Sequence, residues 1–241
     1  PRLSSRQILR SELERSSAVG RIDGKSDPPL VRADQFREQA MSMMTDGRVR
    51  KAFDVSLEPE HVRAAYGDHI CGQSVLLARR LTEAGVPLAT VYCCAGDLNG
   101  SAGSHWDTHG DGFNRLKRDM LPPLDQASAA LLDDLSSSGR LDETLVVWLT
   151  EFGRTPKVNG SGGRDHYPNC YSVAFAGAGI AGGQVYGASD KIGSEPARQH
   201  CGPEELHATI FRAMGIHPST TFTDLAGRPR YLCDAEALPL A

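Results

Sequence analysis

Three short polar segments carry the residues of this 241-residue chain whose types and spacing could do chemistry. The first segment, residues 104–110, holds His105, Asp107 and His109, each two positions from the next. If the segment is extended, these three side chains point the same way. Imidazole and carboxylate groups on one face can hold a divalent metal ion. The alternative interpretation is a polar surface loop.

The second segment, residues 150–156, carries Glu151, an acid that can bind a metal ion or accept a proton, and Arg154. The planar guanidinium of arginine suits the oxygens of phosphate or sulfate, although the two residues could instead form a structural pair in a turn. The third segment, residues 159–168, is rich in glycine, which lets the backbone approach a ligand closely. It also contains the adjacent pair Asp165-His166, and its alternative is a flexible surface loop.

Predicted strands position these segments. Residues 87–95 and 145–150 are short, continuous and apolar, as is typical of buried strands, and they lead into the first and second segments. Residues 171–176 form a third predicted strand. Ligands of open α/β sheets lie beyond the carboxyl ends of the strands, so we expect the three segments to share one edge. The predicted metal ligands are Asp107, His109, Glu151, Asp165 and His166.

Predicted helices alternate with the strands. One helix has an apolar stripe and ends at Gly85. The stripe comprises Ile70, Leu77, Leu81 and Ala84. Residues 113–135 are helical with a kink or restart at Pro122-Pro123, and residues 203–214 form a helix that begins with proline and two acids. This alternation predicts an α/β domain over residues 57–241, with a layered sheet and helices on both faces. We expect residues 1–56 to form a helical and irregular segment that packs on it.

Composition excludes several classes of protein. Lys and Arg number 26 and Asp and Glu number 30, which gives a net charge of −4 and argues against nucleic acid or an anionic membrane as the main partner. No run approaches the roughly 18 apolar residues of a membrane helix. Six cysteines are too few for a disulfide scaffold. A G-x-G-x-x-G match at residues 177–182 is not followed by a helix pattern, so dinucleotide binding is disfavoured.

Six motifs together resemble a large bacterial family called domain of unknown function 1501. They are Trp106-Asp-Thr-His109, Leu124-Asp-Gln126, Leu132-Asp-Asp-Leu135, Glu151-Phe-Gly-Arg-Thr-Pro156, Gly163-Arg-Asp-His166 and Gly227-Arg-Pro229. The resemblance runs from about residue 60 to the end of the chain. That family is similar in fold to the alkaline phosphatase and sulfatase superfamily. Its members usually carry a twin-arginine export signal, so the resemblance implies an exported protein, periplasmic or at the cell surface.

The superfamily resemblance implies a metal-dependent hydrolase whose substrate is a small phosphate or sulfate ester. Asp107 and His109 resemble the pair that binds one metal ion, while Glu151 resembles the acidic ligand of another and His166 a later histidine ligand. Arg154 would hold the anionic ester. Mixed carboxylate and imidazole ligands favour zinc or manganese, with calcium as an alternative.

The early strand that supplies the nucleophile and the first metal-binding aspartate of that superfamily has no counterpart in these residues. We therefore expect the fold to be incomplete at its N-terminus, with the nucleophile either upstream or lost from the family. We expect the 241 residues alone to hydrolyse esters weakly or not at all. Two other functions remain open. One is a non-catalytic exported module that binds a metal ion or another ligand, and the other is a metal-independent hydrolase with Glu151 as base and His166 as acid.

Overall fold

The computed structural model describes residues 8, 36–38, 40–42, 46–93 and 105–240. Most of the described helices precede the strands. The helices are α1 (Gly47–Ala52), α2 (Glu60–Tyr66), α3 (Ile70–Glu83), α4 (Gly112–Arg115), α5 (Leu121–Ser137) and α6 (Pro203–Ala213), with 3₁₀ turns at Val55–Leu57 and Arg140–Asp142 and a π-helical turn at Leu116–Met120 between α4 and α5.

The strands of the described residues are short and pair two by two. They are β1 (Val146–Trp148), β2 (Gly153–Arg154), β3 (His166–Tyr167), β4 (Ala174–Ala176), β5 (Ala188–Ser189), β6 (Pro196–Arg198), β7 (Thr221–Thr223) and β8 (Pro229–Tyr231). The antiparallel pairs are β1 with β4, β2 with β3, β5 with β6, and β7 with β8. This mixture of helices and small strand pairs is consistent with the predicted α/β class.

The largest buried cluster lies between α2, α3 and α5. Its members are Tyr66, Cys71, Val75, Leu76 and Ala127. Tyr66 is 1% exposed, and its hydroxyl donates a hydrogen bond to Asp134 Oδ2 at 2.9 Å. Burial of the ring and this bond to an anion raise the pKa of the phenol far above its ordinary value. The apolar contacts among these three helices hold them together.

Helix α3 confirms the helix predicted from residue 70, but the predicted stripe is rotated away from the buried face. Ile70 is 50% exposed, whereas the residue after it joins the cluster. The buried face also contains a charge, Arg79, which is 8% exposed and lies 3.0 Å from Glu58 and 3.2 Å from Asp134. An apolar pattern cannot reveal a face that buries a paired arginine, because such a residue counts as exposed in the pattern.

The other helix predictions are confirmed. The helix pattern of residues 113–135 is interrupted by the π-helical turn and restarts as α5, which has prolines in its first turn. That position suits proline because its missing N–H has no helical partner there. Helix α6 covers most of residues 203–214. The strands predicted at residues 145–150 and 171–176 are present as β1 and β4, each shorter than predicted.

The strand predicted at residues 87–95 is wrong for residues 87–93, which form no strand, while residues 94–95 lie outside the described residues. Leu88 is 67% exposed and Tyr92 is 80% exposed, whereas Val91 and Cys93 pack against the helical cluster. Every second side chain is thus covered by helices. No described strand pairs with this stretch, so its outer side chains stay exposed and it has no ladder of hydrogen bonds.

Within residues 1–56, the end of α1 contacts α3. The guanidinium of Arg80 donates to the carbonyls of Ala52, at 2.9 Å, and Lys51, at 2.6 Å. The predicted boundary at residue 57 stays a prediction. Among the described helices, none combines the length and the apolar character that crossing a membrane requires.

Candidate metal centre

The first and third polar segments lie side by side because their backbones are hydrogen-bonded. The amide of Asp111 donates to the carbonyl of Ser161 at 2.9 Å, and the amide of Arg164 donates to the carbonyl of Thr108 at 3.3 Å. These bonds join stretches that are distant in the sequence. They bring the side chains of the two segments to one place.

Gly163 allows this close approach. A Cβ atom at this position would lie 2.2 Å from the carbonyl carbon of His109 and 2.3 Å from its oxygen. Both distances are far shorter than a van der Waals contact. Any side chain at residue 163 would therefore push the third segment away from His109.

The second segment joins the site through β2 and β3. Arg154 lies opposite His166 in this pair, and such cross-strand neighbours on one face are close. Beyond the strands, the amide of Thr155 donates to the carbonyl of Asp165 at 2.9 Å. The amide of Asp165 donates in turn to Thr155 Oγ1 at 3.1 Å. The polar ends of all three segments thus converge.

Three side-chain atoms form a small triangle at this convergence. Asp107 Oδ1 is 2.9 Å from His109 Nε2 and 2.7 Å from His166 Nε2. The two imidazole nitrogens are 3.1 Å apart. Asp107, His109 and His166 are the one group in the described part of the chain whose donor atoms are arranged to hold a metal ion.

Asp165 and Asn159 orient His109 from the side that faces away from the triangle. Asp165 Oδ1 is 2.8 Å from His109 Nδ1, and Asn159 Nδ2 donates to Asp165 Oδ1 at 3.1 Å and to the carbonyl of His109 at 2.9 Å. The hydrogen bonds from His109 and Asn159 lower the pKa of Asp165. A carboxylate on the far nitrogen of a histidine is the usual outer partner of a metal-binding imidazole, because it fixes the tautomer and the ring orientation.

The contact with Asp165 determines which nitrogen of His109 has a lone pair. An ionised Asp165 accepts a hydrogen bond from a protonated Nδ1, so in the neutral imidazole Nε2 is unprotonated. That lone pair points at a carboxylate oxygen and at a second imidazole nitrogen. With both imidazoles neutral, at most one proton is available for three acceptor atoms. That proton can serve only one of the contacts among the three atoms, whereas a metal ion among them would satisfy all three.

Arg154 and His166 hold Asp107 as an anion. The guanidinium donates to Asp107 Oδ1 from both terminal nitrogens, at 3.1 and 3.0 Å. Hydrogen bonds lower the pKa of Asp107 to about 2. The bond from His166 has the largest effect, and the bond from Arg154 adds to it. Asp107 is therefore ionised at any pH at which the imidazoles are neutral, as a metal ligand must be.

The site is open to solvent. Asp107, His109 and His166 each have about half of their side-chain surface exposed, at 50, 46 and 49%. The ring of Phe152 lies on one side of His166, with centroids 4.5 Å apart, and the His109 ring lies 4.7 Å away. A ligand from solvent can reach the triangle without any rearrangement of the fold.

The five predicted metal ligands fall into three groups. Asp107, His109 and His166 meet in the triangle, while Asp165 contacts His109 and places no oxygen there. Glu151 is exposed, and no hydrogen bond or ion pair joins its side chain to the residues that the structure describes.

The remaining two predicted residues contact the backbone of the first segment. His105 Nδ1 accepts a hydrogen bond from the Asp107 amide at 3.3 Å. Arg154 donates to Asp107 and to the carbonyls of Trp106, at 3.0 Å, and Arg164, at 3.4 Å. The role of Arg154 in binding an ester stays a prediction.

Asn159 is the residue that sequence reasoning missed. Its side-chain oxygen accepts hydrogen bonds from the amides of Ser161, at 3.0 Å, and Gly163, at 3.1 Å, while its amide group contacts His109 and Asp165. The signal available in the sequence is an asparagine that opens a glycine-rich stretch, a position from which asparagine often caps a turn through its own side chain.

The fold and the site together define a mixed helix and strand protein with an exposed Asp-His-His group suited to a metal ion. A family model described as "Protein of unknown function (DUF1501)" matches residues 2–240, and the chain belongs to that family. Comparison with the curated proteins and with the solved structures returns no match.

Proposed function

We propose that Asp107, His109 and His166 bind one divalent metal ion, zinc or manganese, and that the protein is a hydrolase of phosphate or sulfate esters. The observation that carries the metal site is the triangle of donor atoms, in which two imidazole nitrogens and a carboxylate oxygen lie 2.7–3.1 Å apart. Without a metal ion, Asp107 Oδ1 accepts hydrogen bonds from Arg154 and is hydrogen-bonded to His166 Nε2. A metal ion would replace the proton between Asp107 and His166 and turn the three atoms into a ligand set.

The donor set fits such an ion in distance and in chemistry. Ligands of a four-coordinate zinc ion lie about 3.3 Å apart, since zinc–nitrogen bonds are about 2.0–2.1 Å long. The observed triangle needs to widen only by a few tenths of an ångström to match. Two imidazoles and one carboxylate also leave a coordination position open, as in catalytic zinc sites. Calcium prefers oxygen ligands alone, so the two nitrogens favour zinc or manganese.

The residues of the chain prepare the site for an anionic ester. A bound metal ion would polarise an ester oxygen as a Lewis acid. Asp165 keeps the proton of His109 on Nδ1, and Arg154 keeps Asp107 ionised and in place. The exposure of the triangle admits a substrate from solvent. The alkaline phosphatase and sulfatase fold, with its layered sheet, and export from the cell are parts of the same proposal, supported by the order of the motifs along the chain.

A non-catalytic metal-binding module is the second candidate, and one observation favours it. Within the described residues, no hydroxyl or thiol is hydrogen-bonded to any of the three ligand atoms. An ester hydrolase with a covalent mechanism needs such a nucleophile at the reacting centre. The module would keep the metal ion and the fold without turnover.

The metal site is tested by titration calorimetry on chelator-treated protein with Zn²⁺ and with Mn²⁺. We expect about one equivalent of one of these ions to bind, and we expect His109→Ala and His166→Ala to weaken binding at least 100-fold. His207→Ala is the matched control, since His207 is exposed on α6 and outside the site. Binding that is equal in all four proteins would refute the site.

Turnover then separates the two functions. Hydrolysis of an aryl phosphate or an aryl sulfate is measured on protein that includes any natural upstream sequence, with the metal ion and with chelator. Turnover that requires the metal ion and His109 supports the hydrolase. Stoichiometric metal binding with no turnover of either ester supports the module, and turnover that survives the chelator supports metal-independent chemistry by Glu151 and His166.

A further inference from the structure

We propose that Asn159 is a site of spontaneous deamidation, in which the backbone nitrogen of Gly160 displaces the side-chain amide nitrogen and leaves aspartate or isoaspartate. The modification itself does not depend on the proposed function, and only its effect on metal binding rests on it. The sequence contains one other Asn-Gly pair, Asn99-Gly100. The structure describes the pair Asn159-Gly160, and the contacts around it favour the reaction.

The backbone amide of Gly160 is accessible as the nucleophile. Gly160 is exposed, and its N–H donates no hydrogen bond to any residue that the structure describes. A Cβ atom at this position would meet nothing within 4 Å, and glycine also has the widest choice of backbone conformations. No neighbouring group therefore hinders the loss of the Gly160 amide proton to a base in solution.

Two hydrogen bonds polarise the carbonyl group that Gly160 would attack. Asn159 Oδ1 accepts from the backbone amides of Ser161, at 3.0 Å, and Gly163, at 3.1 Å. Attack at Asn159 Cγ places negative charge on Oδ1, and backbone N–H groups that already point at this oxygen stabilise the charge. The turn that holds the Asn159 side chain in place thus also activates it.

The reaction needs only water and a base from the buffer. The Gly160 nitrogen loses its proton and forms a bond to Asn159 Cγ, and the bond from Cγ to Nδ2 breaks as Nδ2 takes up a proton and leaves as ammonia. Water then opens the resulting succinimide ring. Opening at Cγ yields aspartate, whereas opening at the main-chain carbonyl carbon yields isoaspartate, whose main chain runs through the former side chain. No group is oxidised or reduced.

Deamidation would replace a hydrogen-bond donor by an anion beside the metal centre. Asn159 Nδ2 donates to the carbonyl of His109, at 2.9 Å, and to Asp165 Oδ1, at 3.1 Å. A carboxylate oxygen in place of Nδ2 can donate neither bond, and it repels the ionised Asp165. The contact that orients His109 would weaken, so the modified protein should unfold at a lower temperature and bind the metal ion less tightly.

The test incubates the intact protein at neutral and at mildly alkaline pH and follows the tryptic peptide of residues 158–164 by mass spectrometry. This peptide is separate from the one that contains Asn99-Gly100, and a zero-time sample corrects for reaction during digestion. We expect the peptide from the folded protein to gain about 1 Da at Asn159, faster at the higher pH, because an amide group becomes a carboxyl group. Gly160→Ala should slow this gain at least about 5-fold, since a Cβ atom restricts the backbone of residue 160.

The same peptide from protein kept unfolded in urea is the reference. If the unfolded chain reacts at Asn159 and the folded protein does not, the fold protects this residue and the proposal is overturned. Equal rates in the wild-type protein and in Gly160→Ala would overturn the role of the Gly160 nitrogen as nucleophile.

The consequence is measured on Asn159→Asp, which carries one of the two products. Its Tm should be about 2–6 °C lower than that of the wild-type protein, because two hydrogen bonds are lost, and an unchanged Tm would overturn the predicted effect on the fold. Asn159→Asp should also bind Zn²⁺ about 10-fold more weakly than Gly160→Ala does, and equal binding would overturn the predicted effect on the metal centre. If none of the proteins binds a metal ion, the proposed metal site fails, while the mass gain and the change in Tm still decide the deamidation proposal.

Discussion

Replacing Asp165 tests how the protein orients its proposed metal ligands, because this residue contacts His109, one of the three. Its carboxylate lies 2.8 Å from Nδ1, the nitrogen that faces away from the triangle. Asp165→Asn keeps an oxygen that can accept the same hydrogen bond but removes the charge. Asp165→Ala removes both. The metal ligands themselves are unchanged in either variant.

The expected loss follows from what each variant retains. Removing an outer partner of a metal-binding histidine costs about 10–100-fold in affinity. Asp165 has 52% of its side-chain surface exposed, so water screens its charge and partly replaces its hydrogen bond. We therefore expect Asp165→Asn to weaken metal binding about 10-fold and Asp165→Ala to approach 100-fold.

Calorimetric titration with Zn²⁺ and Mn²⁺ at one fixed pH measures both values, because protons compete with the metal ion for imidazole nitrogens. Asp125→Asn is the matched control, since Asp125 is exposed on α5. Circular dichroism checks that the variants fold. If the wild-type protein binds the ion and Asp165→Ala binds it equally well, the orienting role assigned to Asp165 is refuted.

Three further predictions concern the same site. Gly163→Ala should displace His109, destabilise the fold by about 1–3 kcal/mol and abolish metal binding. The control Gly160→Ala places its methyl group in open space and should change neither stability nor metal binding. Thermal unfolding measures the stability of the two variants, and calorimetry measures their metal binding. The Asp107 carboxyl should titrate near pH 2 by NMR in the metal-free protein, and His166→Ala should raise its pKa, so the stability that Asp107 contributes should be present above pH 4 and disappear as the pH falls towards 2. The metal ion at 100 times its Kd should stabilise the wild-type protein by about 2.7 kcal/mol, seen as a higher Tm, and Asp107→Asn should lack this effect.

Elements with strong local signals could be predicted from the sequence. The helix ending at Gly85 and the helix restarting at Pro122-Pro123 are confirmed because glycine and proline act on the backbone within one turn. The rotated face of α3 could not be predicted, since its burial of Arg79 depends on acids from two other helical regions. Residues 87–93 have the composition of a strand, yet pairing requires a neighbouring strand, which composition does not specify.

Sequence patterns indicated the three residues of the triangle, but not the contacts that bring them together. Alternate spacing indicated Asp107 and His109, and adjacency to a glycine-rich stretch indicated His166. The contacts that hold these residues together are backbone hydrogen bonds between two loops and the side chain of Asn159. Such contacts depend on the tertiary arrangement, and an asparagine in a loop is indistinguishable in sequence from one that only forms a turn.

The hydrogen bonds of Arg154 limit how this residue could bind the proposed ester. Its two terminal nitrogens donate to Asp107 Oδ1 and to the carbonyls of Trp106 and Arg164, and each has two N–H groups. Of the three guanidinium nitrogens of Arg154, only Nε has no hydrogen-bond partner among the described residues. The guanidinium could therefore donate two hydrogen bonds to an ester only if it lost one of its hydrogen bonds to Asp107, Trp106 or Arg164. A metal ion on Asp107 would weaken the bond to Oδ1, because both cations share one oxygen. Binding of an ester by Arg154 would then depend on prior binding of the metal ion.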